Sequence, residues 1–312
     1  NNELRIVPES RKNEILSLLK EGLEDISFSR PSKDLSWGVP VPDDPTQTIY
    51  VWAEALVSYI SSLGYGSDTR EDIERFKKYW PADVQVIGKD NLRFHAAIWP
   101  GMLLAAGLPL PKIIFVHGFL TVDGEKISKT VGNVIDPFEL VKKYGTDPVR
   151  FYLLREITAY EDGDFSYKKF EERYNADLAN GLGNFAARVL TLGEKLSGGS
   201  INTLEIVEAE IDKKIKEARQ TVDKKLSEFK FHEALEAIWN LISFGDTYIN
   251  DKKPWETSDK KVIANLVVLL DNVAALLKPF LPKTAEKITQ AIGWEDNLLK
   301  IQKTASLFPR LS

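Results

Sequence analysis

Two lysines three residues apart, Lys126 and Lys129, lie in the run Asp123-Gly124-Glu125-Lys126-Ile127-Ser128-Lys129-Thr130-Val131-Gly132-Asn133. Ser128 stands between them, Thr130 follows, and Gly124 and Gly132 bracket the pair. Glycines and small hydroxyl residues make a loop that a ligand can approach closely, and paired ammonium groups suit a polyphosphate. An exposed hairpin tip with solvated lysines has the same composition. The pair alone does not choose between the two.

A second group of candidates lies upstream: Trp52, Tyr59, Asp90, Phe94, His95 and Trp99. Thr48-Ile49-Tyr50-Val51-Trp52 is β-branched and aromatic and predicts a buried strand, followed by a helix over 53–63 that Gly64 stops. A second strand, 84–87, ends in Gly88-Lys89-Asp90 and gives way to a helix for which Asp90 is a plausible N-cap. On that helix Leu92, His95 and Trp99 share a face, and Pro100 should kink or end it. A third strand, 113–116, leads to the lysine loop. Strand–helix–strand–helix–strand is the order of a parallel α/β sheet, whose ligands gather beyond the C-terminal ends of the strands. All six candidates fall at or just after such ends. Core packing accounts equally for Trp52, Phe94 and Trp99, and His95 on an apolar face reads as a hydrogen-bonded core histidine.

Before the sheet, residues 9–29 carry a helical pattern and 31–45 a Pro/Gly/Asp-rich loop. Beyond the lysine loop come short helices near 138–144 and 148–156 and an acidic link, Glu161-Asp162-Gly163-Asp164. From Tyr167 onward the period is helical, with no convincing strand. Leu178, Leu182, Phe185 and Val189 form one stripe, and Asn184 and Arg188 share a different face. Further helices over about 207–229, 231–250, 259–278 and 282–292 predict an α-bundle. Trp255, after Pro254 in a connection, is either a hydrophobic plug or an exposed stacking platform.

Composition is that of a globular protein: 312 residues, 43% hydrophobic, 28% charged. No apolar run approaches the ~20 residues that span a bilayer. Absence of cysteine removes disulfides and thiolate metal sites, and three scattered histidines disfavour a His-rich site, so no metal site is expected. The net charge of −5 is not that of a nucleic-acid coat protein. Nucleic-acid binding would rest on local patches and shape.

With these residues assembled, a family emerges. Lys126-Ile127-Ser128-Lys129-Thr130 resembles the KMSKS loop of class I aminoacyl-tRNA synthetases, with Ile for Met and Thr for the last Ser. Together with Trp37-Gly38-Val39-Pro40-Val41-Pro42, Tyr50-Val51-Trp52, Gly88-Lys89-Asp90, Phe94-His95 and Trp99-Pro100, the chain is similar to the methionyl-tRNA synthetases. Asn175-Ala176-Asp177-Leu178-Ala179-Asn180, Lys253-Pro254-Trp255 and Leu307-Phe308-Pro309-Arg310 extend the resemblance through the helical half.

The resemblance implies an α/β plus all-α architecture: the second half of a Rossmann-type catalytic domain, then an α-helical anticodon-binding domain. Residues 1–30 would end a connective insertion, 31–116 complete the catalytic domain, 117–164 hold the KMSKS loop and a stem-contact region, and 165–312 form the anticodon domain. Trp52, Ala55, Tyr59, Phe94, His95 and Trp99 would line a methionine pocket. Its chemistry fits a polarizable thioether, with Tyr59 and His95 each able to offer a hydrogen bond to sulfur. Leu56 stands where many relatives have Pro. Lys126, Ser128 and Lys129 would bind ATP, which comes with Mg2+. The two lysines would be catalytic, stabilising phosphate charge as methionine's carboxylate attacks. Asp90 would bind the adenylate ribose or serve as a cap. Asn184, Arg188 and Trp255 would read the CAU anticodon of tRNA-Met.

The chain has neither an initiator Met nor a HIGH-type motif, and it reads as a piece of a longer protein. The resemblance puts that motif, the carboxylate that grips methionine's amino group and any zinc knuckle in a missing N-terminal half, with no zinc site here. The expected activity is methionine–tRNA ligation, with this piece inactive alone. A non-catalytic anticodon-binding fragment, or a synthetase for another amino acid, are the alternatives. No membrane partner is expected, and the compartment is the cytoplasm or, alternatively, the mitochondrial matrix.

Overall fold

A computed structural model describes residues 3–49, 51–127, 134–202, 207–295 and 298–311. The chain divides into two compact units, Asn1–Phe119 and Leu120–Ser312.

In order, the first unit contains β1 (Arg5–Val7), α1 (Glu9–Glu21), β2 (Ser29–Pro31), β3 (Pro40–Val41), β4 (Asp44–Ile49), α2 (Val51–Ser61), α3 (Arg70–Tyr79), β5 (Val84–Gly88), α4 (Trp99–Ala105) and β6 (Ile113–His117). A three-stranded parallel sheet has β6 at its centre, between β1 and β5. Ile114 is in register with Ile6 on one side and Gln85 on the other. Ile15, Leu92 and Ala96 pack with Ile6, Ile87, Ile114 and Val116 to close one face. A neighbouring cluster of Leu56, Ile60, Trp80, Trp99 and Leu103 joins α2 to α4.

Three expectations change here. The strand expected over 48–52 is not part of the parallel sheet. β4 stops at Ile49, pairs antiparallel with β2 and β3, and α2 begins at Val51, while Tyr50 lies outside the described residues. Its β-branched residues find partners in the Pro-rich loop that folds back on it. Conversely, β1 lies within the stretch assigned to the connective insertion yet joins the parallel sheet. Three residues followed by Pro8 are too short to show a period.

Pro100 does not end its helix. A π-helical turn, Phe94–Ile98, closes with the Trp99 N–H donating to the Phe94 carbonyl, and α4 restarts at Trp99 with Pro100 in its first turn. Pro100 has no N–H to extend that ladder, so one bond is missing from a run that stays helical on both sides.

The second unit contains β7 (Leu120–Val122), β8 (Glu125–Lys126), α5 (Pro137–Tyr144), α6 (Thr146–Arg155), β9 (Gly163–Phe165), α7 (Tyr167–Arg173), α8 (Asn184–Ser197), β10 (Ser200–Asn202), α9 (Ala209–Ser227), α10 (Phe231–Lys252), α11 (Pro254–Thr257), α12 (Lys260–Leu277), α13 (Pro282–Ala291), β11 (Ile292–Glu295) and β12 (Leu298–Ile301). The expected apolar stripe is the core itself: Leu178, Leu182, Phe185 and Val189 are each at most 1% exposed. They pack with the apolar faces of α9, α10, α12 and α13. Asp147 of α6, itself buried, caps α13 by accepting from Thr284 N at 2.6 Å and Thr284 Oγ1 at 2.7 Å. The helical half does contain strands: β10, β12 and β11 form an antiparallel sheet. Ile201, Leu299 and Ile301 turn inward from it, an alternation too brief to register against the helices around it.

Packing between α8 and α10 is close enough to require glycine. A Cβ on Gly245 would lie 2.6 Å from Phe185 Cε2 and Cζ. Gly245→Ala is expected to lower the urea midpoint by the equivalent of about 1–3 kcal/mol from overpacking, less the helix-propensity gain of about 1 kcal/mol. Phe185→Leu in the same chain should give part of that back. Additive losses in the double variant would argue against the clash.

Candidate functional site

The upstream candidates converge where α2 meets the π-helical turn. Trp52 stacks on Phe94 with ring centroids 4.4 Å apart and planes 13° from parallel. Beside them the Tyr59 hydroxyl lies 3.0 Å from His95 Nε2, and the Tyr59 ring is 6.2 Å from that of Trp99. Trp99 is 1% exposed, and its indole N–H has no partner among the described residues. Leu56 is buried in the middle of α2, in a helix that runs unbroken from Val51. Ala55 is half-buried on that helix.

His95 shows which protons are available. Its Nδ1 lies 3.0 Å from the Asn91 carbonyl oxygen, which can only accept, so Nδ1 carries the proton. Burial lowers the ring's pKa below its ordinary value, with the bond to Asn91 acting in the opposite sense, so the imidazole is neutral at pH 7. Nε2 is therefore the acceptor and the Tyr59 hydroxyl the donor. The two side chains do not each hold a free proton for a sulfur atom, as their types alone allow. A bond from Tyr59 to a ligand requires it to release His95.

Because the folded-state pKa of His95 lies below the unfolded value of 6.5, its contribution to stability is full above that pH. It is lost as pH falls from there through the folded pKa. The melting temperature of this chain should drop over that interval, and His95→Gln should flatten the drop. An equal slope in both proteins would remove His95 from the cause.

A cavity of about 750 Å³ opens on the other side of the stacked pair, lined by Trp52, Phe94, Ala97, Met102, Asp90 and Arg93 among others. Asp90 is not an N-cap. It sits within a single 3₁₀ turn, Lys89–Asn91, whose cap position is Gly88 with no side-chain bond. Its Oδ1 lies so near Gly88 that a Cβ there would be 2.8 Å from it, and the His117 ring stands 3.7 Å from the same point. Gly88 and His117 are the last residues of β5 and β6, where a parallel sheet presents its ligands. His117 was not among the site candidates; its place at the end of β6 is what brings it beside Gly88.

Of the lysine loop, β8 carries the Lys126 backbone, in register with Thr121 of β7. Ser128, Lys129 and Thr130 lie outside the described residues. The acidic link Glu161-Asp162-Gly163-Asp164 is no mere connection. It leads into β9, which lies parallel to β7.

In the helical unit a π-helical segment, Tyr174–Gly183, feeds directly into α8. Gly183 is required there, since a Cβ would lie 2.9 Å from the Leu178 carbonyl oxygen. Asn184, the first residue of α8, is exposed. Arg188, one turn on, donates to Asp246 Oδ1 at 2.9 Å and to Asn250 Oδ1 at 2.7 Å, both on α10. Half-burial raises the pKa of the Asp246 carboxyl, and the Arg188 guanidinium acts against that rise. These two partners, four residues apart on one face of α10, were not recognised from the sequence. Five residues beyond Asn250, α11 packs against α8 and carries Trp255, 49% exposed. So exposed an indole does not fill the core as a plug.

Comparison with known proteins gives this arrangement a family. The family model for tRNA synthetases class I (M) matches residues 1–190. The chain belongs to the methionyl branch of the class I tRNA synthetases. A second model, the anticodon-binding domain of tRNA ligase, matches residues 208–309. The chain therefore joins part of a class I catalytic domain to a helical anticodon-binding domain, as the resemblance implied. It is 46% identical over 307 residues to a methionine–tRNA ligase of Clostridium perfringens, covering 93% of this chain and 47% of the relative. With that of Caldanaerobacter subterraneus it shares 42% over 332 residues, 98% of this chain and 51% of the relative. It thus spans about half the length of these synthetases. Among solved structures it is similar to Mycobacterium tuberculosis methionyl-tRNA synthetase in complex with methionyl-adenylate, with a TM-score of 0.88 and 36% identity, covering 98% of this chain and 64% of that one.

Proposed function

We propose that this chain is part of a methionine–tRNA ligase that activates L-methionine with ATP and esterifies it to tRNA-Met. One observation carries the reading. The aromatic group of Trp52, Phe94, Tyr59, His95 and Trp99, with His95 and Trp99 buried at its base, lies in a chain 36% identical, over nearly its whole length, to a synthetase whose structure holds methionyl-adenylate. In this reading the aromatic rings pack round the thioether, and neutral His95 with Tyr59 selects a weak acceptor over a charged or strongly hydrated side chain.

Asp90, beside Gly88 at the C-terminal end of β5, takes the adenylate ribose. Lys126, Ser128 and Lys129 hold the ATP phosphates with Mg2+ and stabilise the charge that develops as the carboxylate attacks the α-phosphorus. The Trp255 indole stacks on an anticodon base, and Asn184 and Arg188 hydrogen-bond base edges. The remaining groups come from the other half of the parent protein. Since the relatives are bacterial, the compartment proposed is the cytoplasm.

The test is methionine-dependent ATP–pyrophosphate exchange, measured for this chain with and without the missing half supplied from a relative. Exchange only when both are present is the expected result. Turnover by the chain alone would show that no essential group is missing. Exchange with leucine or valine in place of methionine would assign the pocket to another amino acid. Tight tRNA-Met binding without exchange in either arm would favour a non-catalytic anticodon-binding fragment.

A further inference from the structure

We infer that Asp164 is the positioning residue of the lysine hairpin, its carboxylate tying β7 to the β7–β8 turn so that Lys126 and the residues after it leave a fixed strand. The inference rests on the reading of that loop as the phosphate-binding element. The hairpin is small: three residues in β7, two in β8, joined by Asp123 and Gly124. Both turn residues have positive φ, 51° and 79°, the left-handed pair that a tight two-residue turn demands. A two-stranded hairpin of this length is not stable by itself in water. Something must hold it.

What holds it comes from β9, about forty residues later. Its strand lies parallel to β7, with Asp164 in register with Thr121. The Asp123 N–H donates to the Phe165 carbonyl at 3.2 Å. Asp164 Oδ1 then accepts two bonds at once, from the Gly124 N–H at 2.7 Å and from Thr121 Oγ1 at 2.8 Å. One donor is in the turn, and the other belongs to the residue directly opposite Lys126. A single carboxylate oxygen therefore fixes both the bend and the strand that faces the first lysine. The same two donors hold the Asp164 pKa below the usual carboxylate value, so the group is a carboxylate, which gives charge-assisted bonds. The carboxylate is committed to the hairpin, and its action on the reaction is exerted through the backbone. A solvated acid that merely decorates a turn would not join two strands.

Three variants test this, Asp164→Ala, Asp164→Asn and Thr121→Val, each in two settings. In this chain, hydrogen exchange at the Gly124 and Lys126 amides should accelerate about tenfold or more for Asp164→Ala, the range expected when bonds to a charged group are lost. In the full-length protein carrying this chain, the same variant should lower kcat for ATP–pyrophosphate exchange about tenfold or more, with KM for methionine within about twofold of the parent. Asparagine keeps an acceptor oxygen and should recover much of the loss, and Thr121→Val should fall in between. Thr121→Val and Asp164→Asn also stand in should Asp164→Ala fail to fold.

The inference is overturned if Asp164→Ala leaves both amide exchange and kcat unchanged. It is equally overturned if kcat and KM for methionine move together, or if asparagine is no better than alanine. A parent protein with no methionine-dependent exchange at all would instead defeat the ligase reading, while the amide measurement would still decide whether Asp164 holds the hairpin.

Discussion

Replacing Lys129 by alanine in the full-length protein is expected to lower the rate of ATP–pyrophosphate exchange by about 10²- to 10³-fold, the cost of removing one preorganised charge from a phosphoryl transition state. The KM for methionine should stay within about twofold, because the aromatic group that would hold the side chain belongs to α2 and the π-helical turn. Lys126→Ala should also slow exchange, and to a smaller extent if Lys129 makes the direct contact. Arginine at position 129 preserves charge but not the compact ammonium, so partial recovery is expected. An unchanged rate in Lys129→Ala would refute the phosphate role for the loop. A rise in methionine KM alone would move the residue to the amino-acid site.

Trp255→Ala is expected to act at the other end of the reaction. The indole is 49% exposed and stands on a four-residue helix bracketed by Lys253 and Ser258, both with positive φ, 42° and 50°. Pro254 beside it is buried and anchors the turn. Losing a stacking platform costs about 1–3 kcal/mol per base, which corresponds to roughly a 5- to 150-fold rise in the tRNA KM or fall in kcat/KM. Methionine-dependent exchange without tRNA should be intact, and the melting temperature nearly unchanged for so exposed a ring. Trp255→Phe should retain much of the effect, since a smaller ring still stacks. Loss of exchange or of folding in Trp255→Ala would make the residue a structural element instead.

Much of the helical unit could be read from its sequence because its apolar residues are spaced for one core. Leu178, Leu182, Phe185 and Val189 keep their spacing across the junction of a π-helical segment with α8, and all four are buried. The parallel sheet was harder. Its first strand is three residues long, and the strand-like run at 48–52 has the right composition for a sheet it does not join. Composition records how buried a strand is, not which neighbour it pairs with. The pocket residues were named by type and spacing, but the direction of the Tyr59–His95 hydrogen bond follows only from the Asn91 carbonyl opposite Nδ1. Arg188 was likewise named without Asp246 and Asn250, since those partners lie 58 and 62 residues away. Asp164 looked like part of a charged linker because nothing in sequence marks a carboxylate that reaches forty residues back.

The central position of β6 sets the order in which the parallel sheet can be made. Its strand is the last of the three to be synthesised, yet among the described residues both others pair only with it. At ribosomal speeds of about 5–20 residues per second, the roughly 110 residues between β1 and the end of β6 take about 5–20 s to appear. Throughout that interval β1 and β5 lack the strand that lies between them here. The β2–β4–β3 sheet has no such wait, because its strands follow one another closely in the chain. The pairing of β2, β3 and β4 is therefore available earlier in synthesis than the parallel pairing through Ile113–His117.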